Sequence, residues 1–169
     1  MKKAWFLLLS LGVIAADQLT KLAVRSAFVP FESRPILGDL LRLTYVQNTG
    51  AGFSFTLGSP DFNRLAFSVV NLVVAVVLVW MVVHAKQTLP AICYSLIIGG
   101  AIGNLADRLI LGGVTDFVDA DFPDFIMHRW PVFNVADSAI VVGITLFVVY
   151  TLFFERKQHL GDADHEISA

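Results

Sequence analysis

The sequence predicts an all-α membrane protein: four transmembrane helices, a small extracytoplasmic β-hairpin or sheet, and a short interfacial helix, all in one domain over 1–169. Three observations predict it. The chain is 56% hydrophobic and 15% charged, whereas a soluble domain is about 45–50% apolar and about 25% charged. Its mean hydropathy is +0.72. Four segments, at about 4–22, 65–83, 91–111 and 135–154, reach the length of about 20 apolar residues that a helix needs to cross hydrocarbon.

The first segment has a basic start at Lys2 and Lys3, and Ala15-Ala16 resembles a cleavage site, as in a removable leader. Asp17-Gln18-Leu19-Thr20-Lys21 continues it in helical spacing, so a retained helix is expected. Next comes an outer β region at about 36–56. Leu41 to Val46 alternates and is rich in strand formers, Asn48-Thr49-Gly50 offers a turn, and Phe53-Ser54-Phe55 alternates again. An open sheet edge does not persist in hydrocarbon, which places this region at the interface. The second span has a defined start, with Ser59 as cap, Pro60 in the first turn and Asp61 at the positive end of the dipole.

A short link from His84 to Pro90 leads to the third span, which ends in Gly99-Gly100-Ala101-Ile102-Gly103-Asn104-Leu105-Ala106-Asp107-Arg108. Its glycines read as a helix-packing seam. The stretch at 123–130 mixes apolar and charged residues, as suits a helix lying among headgroups. Before the fourth span, Asn134 and Asp137 have the spacing of a reciprocal cap, N-cap and N3. Trp5, Trp80 and Trp130 fall near span ends, as in an aromatic belt.

Four spans place both termini on one side. That side carries Lys2, Lys3, Lys86, Arg156 and Lys157; the other carries Lys21, Arg25, Arg34, Arg42, Arg64, Arg108 and Arg129. The count does not orient the chain, although Lys2-Lys3 before the first span favours an inside N-terminus.

Composition also excludes classes of function. A net charge of −2 gives no footprint for nucleic acid. The lone Cys93 excludes an internal disulfide and reads as a small apolar helix residue. His84, His128, His159 and His165 show no ligand spacing, so neither metal nor other cofactor is expected.

The ionisable residues beside the apolar segments carry the chemistry, because charge near hydrocarbon is costly and marks functional sites. Asp116 and Asp137 are the candidate pair: two acids sharing one proton suffice to activate water against a peptide bond. Each has a competing reading. Asp137 also suits a helix cap, whose dipole favours the charged form, leaving the proton on Asp116. Asp116 competes with Asp119, Asp121 and Asp124; its apolar flanks Val114, Phe117 and Val118 would exclude water better, but the residues alone do not single it out. Asp17 and Lys21, four apart with the acid first, read as a structural ion pair or as part of the site. Asn104, Asp107 and Arg108 read as a cluster that closes a helix end or supports the site.

Five blocks, Asp17-Gln18-Leu19-Thr20-Lys21, Asn48 to Phe53, Gly99 to Arg108, Gly113-Val114-Thr115-Asp116-Phe117 and Phe133-Asn134-Val135-Ala136-Asp137, together resemble the signature of the bacterial lipoprotein signal peptidases, the signal peptidase II family. The resemblance implies an aspartic endopeptidase of the bacterial inner membrane with both termini cytoplasmic. Its implied substrates are prolipoproteins carrying a diacylglyceryl group, cut before the lipidated cysteine near the outer face. It maps the catalytic pair onto Asp116 and Asp137, and the supporting polar residues onto Asp17, Lys21, Asn48, Asn104, Asp107, Arg108 and Asn134. The expected partners are those prolipoproteins and membrane phospholipids, with no nucleic acid and a monomeric chain.

Other classes fit less well. A rhomboid-type serine enzyme wants Gly-x-Ser-x-Gly, a presenilin-type enzyme wants Gly-x-Gly-Asp, and a Ser–Lys peptidase lacks a placed serine beside Lys21. The alternative outside enzymes is a small transporter or channel using Asp17, Asp107 and Arg108 as a polar path.

Overall fold

The computed structural model describes residues 5–50, 57–121 and 129–155. In chain order it contains α1 (Phe6–Ala27), β1 (Ser33–Leu37), β2 (Leu41–Asn48), α2 (Pro60–His84), α3 (Thr88–Leu111), β3 (Val114–Ala120) and α4 (Val135–Tyr150). A π-helical turn, Thr151–Glu155, continues α4. All four helices are long and apolar enough to cross a membrane.

Three of the expected spans have different bounds. α1 was expected to stop near 22 but continues to Ala27, because Lys21 is buried among polar partners and Arg25 reaches across to neighbouring elements. α2 starts five residues before the expected 65, at Pro60, with the Ser59 hydroxyl accepting from Phe62 N–H. α3 begins three residues early, at Thr88, and stops where expected, at Leu111. Gly112, at φ 80°, supplies the left-handed residue that ends it. α4 starts where expected, and Asn134 and Asp137 form the reciprocal cap.

α3 lies at the centre. Of its membrane window 61% is buried inside the protein, against 22%, 17% and 22% for α1, α2 and α4. The glycine seam makes this possible. A Cβ on Gly100 would overlap the Ala136 carbonyl and Ile140 of α4, and one on Gly99 would overlap Val13 of α1. At the far end, Val82, Tyr94 and Ile98 form a small core closed by Phe6, Leu78 and Phe147. The outward surfaces remain apolar, with Leu72, Val76, Val141 and Ile144 about half exposed or more.

The strands form one antiparallel sheet in the order β1-β2-β3. The β1–β2 turn lies at residues 38–40, with Leu40 N–H on Leu37 O at 3.1 Å. The expected alternating stretch at 53–55 lies outside the described residues; β2 turns back on β1. Its other edge takes β3, from between α3 and α4, a pairing the local pattern did not indicate. Pairing runs Leu41↔Ala120, Arg42↔Asp119 and Leu43↔Val118, slips at an irregularity, and resumes at Val46↔Asp116. The expected interfacial helix at 123–130 falls largely on 122–128, outside the described residues. Trp5 and Trp80 are exposed at the ends of α1 and α2, whereas Trp130 lines a cavity.

Candidate active site

β3 and the start of α4 face each other across a cavity of about 190 Å³. Asn48, Asn104, Arg108, Asp116, Trp130, Phe133 and Asp137 are among its lining residues. Strand alternation explains why Asp116 enters it. Asp119 is turned to the other face, where it accepts from Thr44 Oγ1 and pairs with Arg129. Asp121 also lies near Arg129, and Asp124 lies outside the described residues.

Asp116 is 3% exposed. Its Oδ1 accepts from Asn134 Nδ2 at 2.6 Å and its Oδ2 from Asn48 Nδ2 at 3.0 Å. Burial, and then the charge of Asp137, push its pKa up to about 7, against the opposing pull of the two amide donors and Lys21. Asp137 Oδ1 accepts from Asn104 Nδ2 at 2.8 Å, and its Oδ2 accepts the Asn134 N–H at 3.2 Å. The cap and the site are therefore the same atoms, and the two readings of Asp137 coexist.

Neighbours set which way each amide faces. Asp137 N–H needs an acceptor and takes Asn134 Oδ1 at 2.9 Å, which turns Asn134 Nδ2 toward Asp116. The Lys21 ammonium can only donate, and it takes Asn104 Oδ1 at 2.9 Å, which turns Asn104 Nδ2 toward Asp137. Asn134 Nδ2 also lies 3.2 Å from Asn104 Oδ1 and so joins the two halves.

Behind this layer, Lys21 pairs with Asp17 at 2.9 Å and Asp107 at 3.5 Å, all three buried. Asp17 Oδ1 accepts Ala136 N–H at 3.0 Å and so holds the first turn of α4. A Cβ on Gly103 would stand 2.6 Å from Asp17 Oδ2, so a side chain there would displace that carboxylate. Arg108 donates to Gly50 O at 3.0 Å and stands over the Phe67 ring.

All nine residues expected from the sequence thus belong to one connected assembly. Of these, Asn48, Asn104, Arg108, Asp116 and Asp137 line the cavity, while Asp17, Lys21, Asp107 and Asn134 pack behind it. Three participants were not anticipated. Gln18 bridges Asp17, Asp107 and the Gly103 carbonyl, Arg25 reaches Asp107, and Thr115 donates its N–H to Asp107 Oδ2. A signal existed for Arg25, which follows Lys21 by one helical turn on the same face. Among the described residues, no group of three or more His, Cys, Asp or Glu side chains is arranged to hold a metal ion.

The chain is similar to known proteins over most of its length. Residues 9–153 match the model of a family described as Signal peptidase (SPase) II. Relatives named lipoprotein signal peptidase include one from Geobacter metallireducens, 41% identical over 147 residues, covering 86% of this chain and 88% of the relative. One from Pseudomonas putida is 40% identical over 156 residues, covering 91% and 89%. Two solved structures described as a bacterial membrane enzyme, each 26% identical, align with TM-scores of 0.78 and 0.75. They cover 88% and 89% of this chain, and 88% and 94% of their own.

Proposed function

The chain belongs to the signal peptidase II family, and from that premise we propose that it is an aspartic endopeptidase that removes signal peptides from diacylglyceryl-modified bacterial prolipoproteins. The cut falls before the lipidated cysteine. One observation carries the mechanism: Asp116 and Asp137 face a single cavity and are tied together through Asn134.

Two close carboxyl groups do not both ionise cheaply, so the pair holds one proton over a broad range. Asp116 is the member that keeps it, its pKa raised to about 7 by burial and by its partner's charge. Asn48 and Asn134 occupy lone pairs on its two oxygens, leaving the O–H free to point into the cavity. Asp137, at the positive end of α4, is the charged member.

The reaction follows from that split. Asp137 takes a proton from water as its oxygen attacks the scissile carbonyl carbon, and Asp116 gives its proton to the carbonyl oxygen. When the tetrahedral intermediate collapses, the C–N bond breaks. The proton held by Asp137 passes to the leaving amine of the cysteine, and the gem-diol returns one to Asp116. Arg108, Asn104 and the apolar wall at Trp130 and Phe133 are placed to orient the substrate backbone and exclude bulk water. The site belongs near the outer face of the inner membrane, with both termini cytoplasmic and the acyl chains left in lipid.

The transporter reading has no support from the family or the relatives, and the residues it relied on are accounted for. Asp17 and Asp107 are occupied by Lys21 and by backbone N–H groups.

Purified protein in detergent is expected to cleave a diacylglyceryl-modified precursor peptide, with Asp116→Asn and Asp137→Asn each lowering kcat by about 10²–10⁴-fold. Turnover within a few-fold of wild type in either variant overturns the aspartic mechanism.

A further inference from the structure

Arg25 stands in the last turn of α1, beyond the point where the first span was expected to end. Its Nη1 donates to Thr115 Oγ1 at 3.0 Å and lies 3.4 Å from Asp107 Oδ1. Asp107 uses its other oxygen to accept Thr115 N–H at 2.8 Å. Thr115, fully buried, is therefore clamped at backbone and side chain by residues from two helices.

Side chains alternate across a strand. Thr115 faces α1 and α3, and Asp116, the next residue, faces the cavity. The β2–β3 register is irregular between Leu43 and Val46 and resumes at Asp116, Thr115 and Val114, so these residues stand beside the break in the ladder, where a second hold adds to the pairing. The clamp sits where pairing resumes. Charge points the same way. Asp17 and Asp107 carry two formal negative charges, and Lys21 with Arg25 supplies two positive ones. Without Arg25 the assembly behind the strand holds an acid in excess, which is costly when buried.

We propose that Arg25 is a positioning residue for Asp116: through Thr115 it sets the strand phase that aims the carboxyl into the cavity. This rests on the aspartic reading above.

The test uses the full chain in nanodiscs and a diacylglyceryl-modified precursor peptide. Arg25→Gln and Thr115→Val are each expected to lower kcat about tenfold, with KM within about twofold. Thr115→Ser keeps the hydroxyl and restores most of the rate; Arg25→Lys restores part. Because both act through one contact, the double variant falls no further than the worse single one. Thr115→Val leaves net charge unchanged, which separates aiming from charge balance. Hydrogen exchange supplies a readout independent of turnover: in Arg25→Gln the Thr115 amide exchanges faster while amides near Ala101 in α3 stay protected. Losses that multiply in the double variant, or a Thr115 amide and kcat both unchanged in Arg25→Gln, overturn the proposal. A wild-type chain that never cleaves the peptide, with faster Thr115 exchange in Arg25→Gln, removes the peptidase reading and leaves the positioning intact.

Discussion

The side chain of Asp116 is nearly sealed from solvent and touches two amide donors, yet its pKa is raised to about 7 from an ordinary 3.8. Donors favour the charged form, so burial and the neighbouring charge of Asp137 outweigh them. A pH dependence follows. In the proposed mechanism the competent form has Asp116 protonated and Asp137 charged, so kcat/KM is expected to fall about tenfold per pH unit above roughly 7. A pH profile in nanodiscs checks this, and a rate level up to pH 9 contradicts it. Stability moves in the same direction. Between about 3.8 and 7 the folded chain holds a proton here that the unfolded chain has lost, so this group makes the fold less stable as pH rises through that window.

At the level of elements, α4 and the site share a beginning. The Asn134 side chain caps the helix with its oxygen and holds Asp116 with its nitrogen, and substitution can separate the two. Asn134→Ser keeps an acceptor for Asp137 N–H but removes the donor to Asp116. The melting temperature is expected to change little, since Ser caps about as well as Asn, while kcat drops at least tenfold. A rate near wild type shows that the Asn134–Asp116 contact is dispensable. The α3–α4 pair makes a second case. Because the missing side chain of Gly100 is what lets the Ala136 backbone approach, Gly100→Ala forces the helices apart and is expected to destabilise the protein by about 1–3 kcal/mol. Thermal unfolding in detergent measures it, and an unchanged transition refutes the close-packed seam.

The whole molecule sits in two solvents, and equal exposure does not mean equal tolerance. Leu72, midway along α2, is 54% exposed, and Ile36 on β1 is 59% exposed. Aspartate at the centre of a membrane helix is disfavoured by about 2.5–3.5 kcal/mol, whereas a sheet belongs outside the hydrocarbon, where a charge meets water. Leu72→Asp is therefore expected to cut the yield of membrane-inserted protein several-fold, with Ile36→Asp close to wild type. Comparable yields from the two variants mean that the sheet or the helix has been assigned to the wrong solvent.

Much of this organisation is local and so was legible in the chain. Four apolar runs, the Ser59 and Asn134 caps and the glycine seam each depend on residues within a few positions of one another, and each is present, with the bounds of three helices shifted by three to five residues. Asp137, a carboxyl at the start of an apolar span, is conspicuous in one dimension, whereas Asp116 is separated from Asp119 only when the strand turns the two to opposite faces. Contacts between distant segments decided the rest. β2 pairs with β3, α1 continues past Lys21, and Arg25 and Thr115 join the site, all through partners about 70 to 90 positions away. Local propensity carries no information about such partners. It is burial that turns Lys21 and Asp107, joined by the partly exposed Arg25, into a satisfied cluster, and burial is a property of the assembled bundle alone.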